Sequence, residues 1–353
     1  MSAKRIAVIG YGVAGSAFHA PLIAATDGLE LAAVVTGDVT RAAQAKERYP
    51  GVDVVARADD LWALDIDAVT VATPPATHTA LAAEALRHGA AVVVDKPLAT
   101  TVAEAEDLLA AATAADLPLT AYFNRRWDGD FRTVRQLLDA ETLGRVHRFE
   151  SRFERFRPTV ATGWKETVPV AAGGGTLRDL GPHLVDQALT LFGPVTQVYA
   201  EVDVCRPGAT NPDDAFLALT HANGVHSHLW TSAIAADLGP RFRLLGTQGG
   251  YHVDGLDGQE AVLRNGGAPT PGQPWGEVPE AEWGVLTEAS GTHPVPTLPG
   301  AYPDFYAQWA AALAGAGPVP VAPADAIAGL RILAAAEESS ATGAVVRLSD
   351  AGD

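Results

Sequence analysis

The chain has 353 residues, a formal net charge of −17 and a single cysteine, Cys205. Hydrophobic residues make up 48% and charged residues 19%, too apolar for disorder, and the length exceeds what one core usually supports, so two domains are expected. The acidic balance speaks against nucleic acid and anionic membrane surfaces as partners, and one cysteine excludes a disulfide framework and a cysteine-rich zinc site.

In chain order, residues 5–9 form a short apolar run that ends in a glycine-rich stretch, 10–15, and an alanine-rich segment. Residues 29–36 are a second apolar run, 38–49 have helical spacing, and 52–55 are β-branched. A strand at 67–73, a helix at 76–88 closed by Gly89 and a strand at 91–94 follow. A helix over 101–115 opens with a capping box from Thr101 to Glu104, and 117–123 is a further strand. Continuous apolar strands alternating with amphipathic helices predict a parallel sheet covered on both faces.

After residue 123 the pattern changes. Residues 130–140 read as a helix, and 146–157 alternate aromatic and charged residues as a sheet with one exposed face would. Strands are expected at 195–204, 215–221, 225–232 and 241–246, with Asn223-Gly224 as a hairpin turn. Residues 257–300, rich in Gly, Pro and Glu, read as a long surface excursion, and helices at 302–313 and 324–339 close the chain. The expected fold is α/β: a doubly wound domain at 1–123, then an α+β domain at 124–353 built on an open, mostly antiparallel sheet. No stretch is apolar and long enough to span a membrane, and the N-terminal residues do not read as a secretory signal, so a cytoplasmic protein is expected.

The first chemical motif is Gly10-Tyr11-Gly12-Val13-Ala14-Gly15. With 35 glycines in 353 residues, chance supplies about a third of one such match, so the spacing alone is weak. Its place between an N-terminal strand and a helix gives it meaning: Gly10 for the turn, Gly12 for approach of a pyrophosphate, Gly15 for close helix packing. The helix start offers anion-binding N–H groups. About 20 residues further on, an NAD site would carry an acid. Thr36 stands there, followed by Gly37, Asp38 and Arg41. A hydroxyl does not repel a 2′-phosphate and Arg41 could pair with it, so NADP is expected before NAD. The same residues read equally well as an Asp38 helix cap and a solvated arginine.

Thr73-Pro74-Pro75 with His78 ends a strand at the carboxyl edge of the sheet, where ligands bind in such folds. Asp95-Lys96-Pro97 ends the next, and Lys96 is one of four lysines in the chain. In the second domain Gly173–Gly175 lead to a helix expected near Leu180, with Pro182 in its first turn. Asp179 and His183 are four apart, on one helical face that Asp186 continues. An Asp/His pair with a strand-end lysine is a possible proton-transfer set; a plain Asp179 cap is the alternative. His221, His226 and His228 flank the hairpin without a third ligand on one face, so no metal site is expected. The arginines of 145–157, interleaved with Phe149, Phe153 and Phe156, read as a sheet face or subunit contact.

Taken together, these motifs resemble the glucose–fructose oxidoreductase / inositol dehydrogenase (Gfo/Idh/MocA) family over nearly the whole chain. The resemblance rests on Gly10–Gly15, Thr73-Pro74-Pro75 with His78, Asp95-Lys96-Pro97 (the family more often has Glu-Lys-Pro), and Asp179 with His183 before Leu184-Val185-Asp186-Gln187. Phe18-His19-Ala20-Pro21 and Asn124-Arg125-Arg126-Trp127-Asp128 resemble a branch that includes NADP-dependent scyllo-inositol dehydrogenases. The resemblance implies a hydride transfer between NADP(H) and a secondary alcohol or ketone of a cyclic polyol or sugar. It implies that Lys96 hydrogen-bonds the reacting oxygen, His183 acts as base or acid, and Asp179 orients them. It places Asn124 and Trp164 in the pocket and Arg157 and Tyr306 as further polar liners. Cofactor contacts fall on Gly10 to Gly15, Thr36, Gly37, Arg41, Thr73, Pro74, His78, Asp95, Lys96 and Asn124. NAD with another sugar substrate, and a non-catalytic nucleotide-sensing regulator on the same scaffold, are the alternatives. A homodimer or homotetramer through the C-terminal sheet is expected.

Overall fold

A computed structural model describes residues 2–161, 164–270 and 272–348, with the side chains of Trp164 and Lys165 outside the description. The chain divides into two units. The first comprises Met1–Trp127, Gly258–Gly276 and Ala301–Ile327; the second comprises Asp128–Asp257, Glu277–Gly300 and Ala328–Asp353. The boundary expected at 123/124 lies four residues before the first of these breaks, and two later segments return to the first unit.

The first unit is built on β1 (Lys4–Ile9), β2 (Leu29–Val35), β3 (Asp53–Val55), β4 (Ala68–Val71), β5 (Ala91–Asp95) and β6 (Leu119–Tyr122). They pair in parallel in the order β3-β2-β1-β4-β5-β6. Burial explains the absence of polar alternation: Ala7, Val8, Val69, Val92 and Val93 are all fully inaccessible. Strand order reverses between β1 and β4, and in such sheets ligands bind outside the carboxyl ends at that point. The expected capping box is present, with the Thr101 hydroxyl accepting from the Glu104 N–H and the Glu104 carboxylate from the Thr101 N–H.

The second unit carries β7 (Val146–Glu154), β8 (Val195–Asp203), β9 (Asp214–His221), β10 (His226–Ser232), β11 (Phe242–Gly246), β12 (Gly249–Val253), β13 (Gly284–Glu288), β14 (Gly291–Val295) and β15 (Val346–Arg347). Their order is β14-β13-β12-β11-β7-β10-β9-β8-β15, antiparallel except where β7 meets β10. The helix Thr176–Phe192 packs its apolar stripe, Leu177, Leu180, Leu184 and Ala188, into the core with Phe149, Leu229 and Phe242.

Two expectations need correction. The helix expected near Leu180 begins at Thr176, so Pro182 is inside it and Asp179 is in its first turn, behind the cap Gly175. An interior proline forfeits one helix hydrogen bond; here the turn around it is buried, with a Cβ on Gly181 3.0 Å from both Leu177 Cδ1 and Leu333 Cδ2. The segment 257–300 is not a bare excursion: it contains the helix Gln259–Arg264 and the β13–β14 hairpin that extends the sheet. Pro294 belongs to the outermost strand, β14, where a missing N–H costs nothing to a neighbour. The alternation at 146–157 forms the expected sheet with one exposed face, Phe149 and Phe153 of β7 in the core and Arg148 and Arg152 on the opposite face. The β9–β10 hairpin forms as expected, with Gly224 at φ 84°.

Candidate active site

In the first unit the residues singled out by sequence converge on turns at the carboxyl edge of the sheet. Gly10, at φ 97°, turns the chain out of β1. A Cβ there would lie 2.8 Å from the Ala72 carbonyl oxygen and 2.9 Å from Thr73 Cγ2, so this turn presses on the one after β4. A Cβ on Gly15 would lie 1.9 Å from the Gly10 carbonyl oxygen. A Cβ on Gly12, by contrast, would meet only the Arg41 guanidinium, Nη1 at 3.9 Å. That cradle, open above Gly12 and closed beneath Gly10 and Gly15, fits the pyrophosphate of a dinucleotide. Tyr11 buries its ring, and burial raises its hydroxyl pKa against the opposing charge of Arg48. Val13 is exposed, and Ala14 opens a helix whose first stretch, Ala14–His19, is wound as a π-helix before Ala20–Ala24 continues it.

At the end of β2, Thr36 is half-buried and Gly37 exposed. Asp38 caps the helix Val39–Arg48, its Oδ1 accepting from the N–H groups of Thr40 and Arg41 at 2.9 and 3.0 Å. Those bonds hold its carboxyl below the usual carboxylate range. Arg41 is half-exposed, Nε 3.8 Å from Asp38 Oδ2.

His78 joins the next two turns. Its Nδ1 is 2.8 Å from the Pro97 carbonyl oxygen and its Nε2 is 2.8 Å from the Thr73 carbonyl oxygen. Both ring nitrogens are thus engaged by backbone, which ties the turn at Thr73 to the turn at Pro97. Asp95 Oδ1 accepts the Lys96 N–H at 2.8 Å, and the Lys96–Pro97 peptide is cis. Burial pushes the Asp95 carboxyl up, but His19, Lys96 and His78 outweigh it and hold the pKa low. Asn124 is buried at the start of the turn Asn124–Trp127, immediately beyond β6.

Asp179 and His183 belong to the second unit. They stand one helical turn apart, Asp179 half-buried and His183 buried with its ring edge toward Phe153, centroids 6.1 Å apart. The glycine-rich approach to that helix is pinned from below. Asn211 Nδ2 donates to the carbonyl oxygens of Glu166 and Val168 at 3.1 and 2.7 Å, and a Cβ on Gly174 would overlap the Val168 oxygen at 2.1 Å. Buried Arg206 donates to Glu166 and to Asp213, both at 2.8 Å. The backbone of Trp164 starts the short helix Trp164–Thr167, and its side chain lies outside the described residues. Arg157 is exposed. Tyr306, expected to line a pocket, is fully buried in the first unit instead. His221 is turned onto the Gly193 carbonyl and Ser227 Oγ, both at 2.8 Å, and no cluster of potential metal ligands occurs among the described residues.

Sequence reasoning missed the partner of Tyr306. Its hydroxyl is 2.7 Å from Nδ1 of His19, a fully buried residue of the helix after the glycine-rich turn. Phe18-His19-Ala20-Pro21 was the available signal, but nothing in it names a partner 287 residues away.

Residues 4–123 match the model of an oxidoreductase family with an NAD-binding Rossmann fold, and residues 131–252 match the GFO/IDH/MocA C-terminal domain. The chain is 39% identical over 341 residues to the uncharacterized oxidoreductase YdgJ of Escherichia coli, covering 95% of this chain and 96% of that one. It is 33% identical to scyllo-inositol 2-dehydrogenase (NADP(+)) IolW of Bacillus subtilis, covering 95% and 93%. The solved structure of yvaA from Bacillus subtilis superposes with a TM-score of 0.93 at 31% identity over 99% of both chains. A glycine cradle at the switch point of a parallel sheet, a second unit on an open sheet, and relatives matched end to end have one explanation: the chain belongs to the Gfo/Idh/MocA family and is an NAD(P)-dependent oxidoreductase.

Proposed function

We propose that the protein interconverts a secondary alcohol and a ketone on a cyclic polyol or sugar, of the scyllo-inositol kind, with NADP(H). The observation that carries the cofactor choice is Arg41, whose guanidinium approaches the open side of Gly12 while Thr36 stands where an NAD site would have an acid. Asp38, the nearest acid, is committed through Oδ1 to its helix cap. The substrate class is supported by the relative named scyllo-inositol 2-dehydrogenase (NADP(+)).

In this reading the bound nicotinamide supplies the hydride acceptor or donor. The turns at Gly10–Gly15 and Thr73–Pro74 bind the cofactor's phosphates and ribose, with Gly37, Asp95 and Asn124 beside them. Lys96 hydrogen-bonds the reacting oxygen through Nζ and stabilises its developing negative charge. His183 takes the hydroxyl proton in oxidation and returns it in reduction, and Asp179 orients the imidazole and the substrate. Asn124 and Trp164 hold the rest of the ring.

Titration calorimetry of the purified protein with NADP and NAD tests the first half. Tighter NADP binding is expected; tighter NAD binding would assign Asp38 to the ribose and overturn the choice. Reduction of NADP with scyllo-inositol tests the second half. A blank across inositols and aldoses would remove the substrate class and revive a nucleotide-sensing role.

The same reading includes a homodimer or homotetramer. Its support is the face of the second sheet that carries Phe216, Trp230 and Arg152, partly exposed, with the Arg152 guanidinium 3.9 Å above the Trp230 ring.

A further inference from the structure

We infer that His19 is a positioning residue of the reaction centre, which seats on Tyr306 and holds the Asp95 carboxylate that fixes Lys96. The inference rests on the proposed role of Lys96.

His19 is fully buried and boxed by aromatic rings. Tyr122 lies against it with centroids 4.4 Å apart, and Tyr306 meets it edge-on at 6.2 Å. Its Nδ1 is fixed by the Tyr306 hydroxyl at 2.7 Å, and that hydroxyl lies 3.4 Å from Thr70 Oγ1 on β4. The other ring nitrogen, Nε2, is buried without a hydrogen bond and lies 3.9 Å from Asp95 Oδ2. That separation is beyond a hydrogen bond and within ion-pair range, so the hold on Asp95 is electrostatic. An imidazole nitrogen facing a carboxylate carries the proton, whether the ring is neutral or charged.

The geometry then runs in one direction. Asp95 points Oδ2 at His19 and uses Oδ1 to accept the Lys96 N–H. One carboxylate therefore couples the helix of the glycine-rich turn to the turn that carries Lys96. A half-buried carboxylate that loses the imidazole N–H facing it would turn away or take up a proton, and either would release the Lys96 backbone. The groups that face Asp95 are His19, His78, Lys96 and Tyr306.

With only four lysines in the chain, Lys96 can be watched directly. The full-length protein is labelled with 13Cε-lysine, and Lys96→Met assigns the signal. His19→Leu removes the donor at similar volume, and His19→Gln returns an amide N–H near the place of Nε2. Without cofactor or substrate, His19→Leu is expected to displace the Lys96 signal and leave the other three, while His19→Gln restores it. With NADP and scyllo-inositol, kcat of His19→Leu is expected to fall about ten- to a hundredfold with the KM for NADP within about twofold. The acid limb of its pH profile moves up, because Asp95 has lost a group that keeps it ionised.

A stationary Lys96 signal in folded His19→Leu, or equal displacement by Leu and Gln, overturns the inference. Should His19→Leu fail to fold, Asp95→Asn decides, since it must displace the same signal. The NMR readout needs no turnover. An active Lys96→Met would therefore end the proposed role of Lys96, while the His19–Asp95 coupling would be judged by the signal alone.

Discussion

Gly15 and Gly10 are in such close contact that a single methyl on the first would lie 1.9 Å from the carbonyl oxygen of the second. The start of the helix is thereby locked to the end of β1. Gly15→Ala must push backbone against backbone, and we expect a loss of about 3 kcal/mol or failure to fold. Gly12→Ala meets no backbone, so its melting curve should match wild type while calorimetry shows cofactor affinity at least about tenfold weaker. Equal stability of both variants would contradict this division.

Arg41→Ala should weaken NADP binding by about tenfold or more, the size of a lost charged hydrogen bond, and leave NAD binding within about twofold. A parallel loss for both cofactors would take Arg41 off the 2′-phosphate.

Lys96→Ala and His183→Ala should fold normally and lose at least about a hundredfold in kcat, as acid–base groups generally do. Wild-type rates in either purified variant would remove that residue from the chemistry.

Asp213 is buried, which pushes its carboxyl up, but the N–H groups of Cys205 and Arg206 and the Arg206 guanidinium outweigh burial and hold its pKa down. A carboxyl depressed in the folded state stabilises at pH values above its unfolded pKa of about 4, and the contribution fades as pH falls through the folded value. Asp213→Asn should therefore cost about 3 kcal/mol or more at pH 7, leaving Arg206 half-paired. The gap between the two melting temperatures should narrow below about pH 4. A gap independent of pH would show that packing, not charge, holds the loop.

Light scattering should give the mass of a dimer or tetramer, and Trp230→Glu should reduce it. A monomer in dilute solution would leave the partly exposed face of the second sheet without a partner.

The parallel sheet was legible because burial on both faces leaves unbroken apolar runs such as residues 91–94 of β5. Capping was legible because Thr101 and Glu104 carry their partners in the local sequence. The hairpin at 284–295 was hidden by its Gly and Pro, which read as loop and are tolerated at a sheet edge. The start of the helix at Thr176 was hidden by the assumption that Pro182 must lie in a first turn. The glycine cradle and its neighbours were marked by residue type, whereas the link from His19 to Tyr306 depends on a fold that no local pattern encodes.

The returning segment Ala301–Ile327 has a consequence for how the protein is made. Edge strand β6 exchanges two hydrogen bonds with a residue 201 positions later, Thr120 Oγ1 donating to the Val321 oxygen at 2.8 Å and accepting the Val321 N–H at 3.2 Å. Tyr306, which anchors His19, arrives by the same segment. A ribosome that has released only the first 127 residues has released every strand of the nucleotide sheet but neither of these closures. The cofactor unit is thus finished by a segment synthesised about 200 residues after its last strand, and a fragment cut at Trp127 would lack both closures.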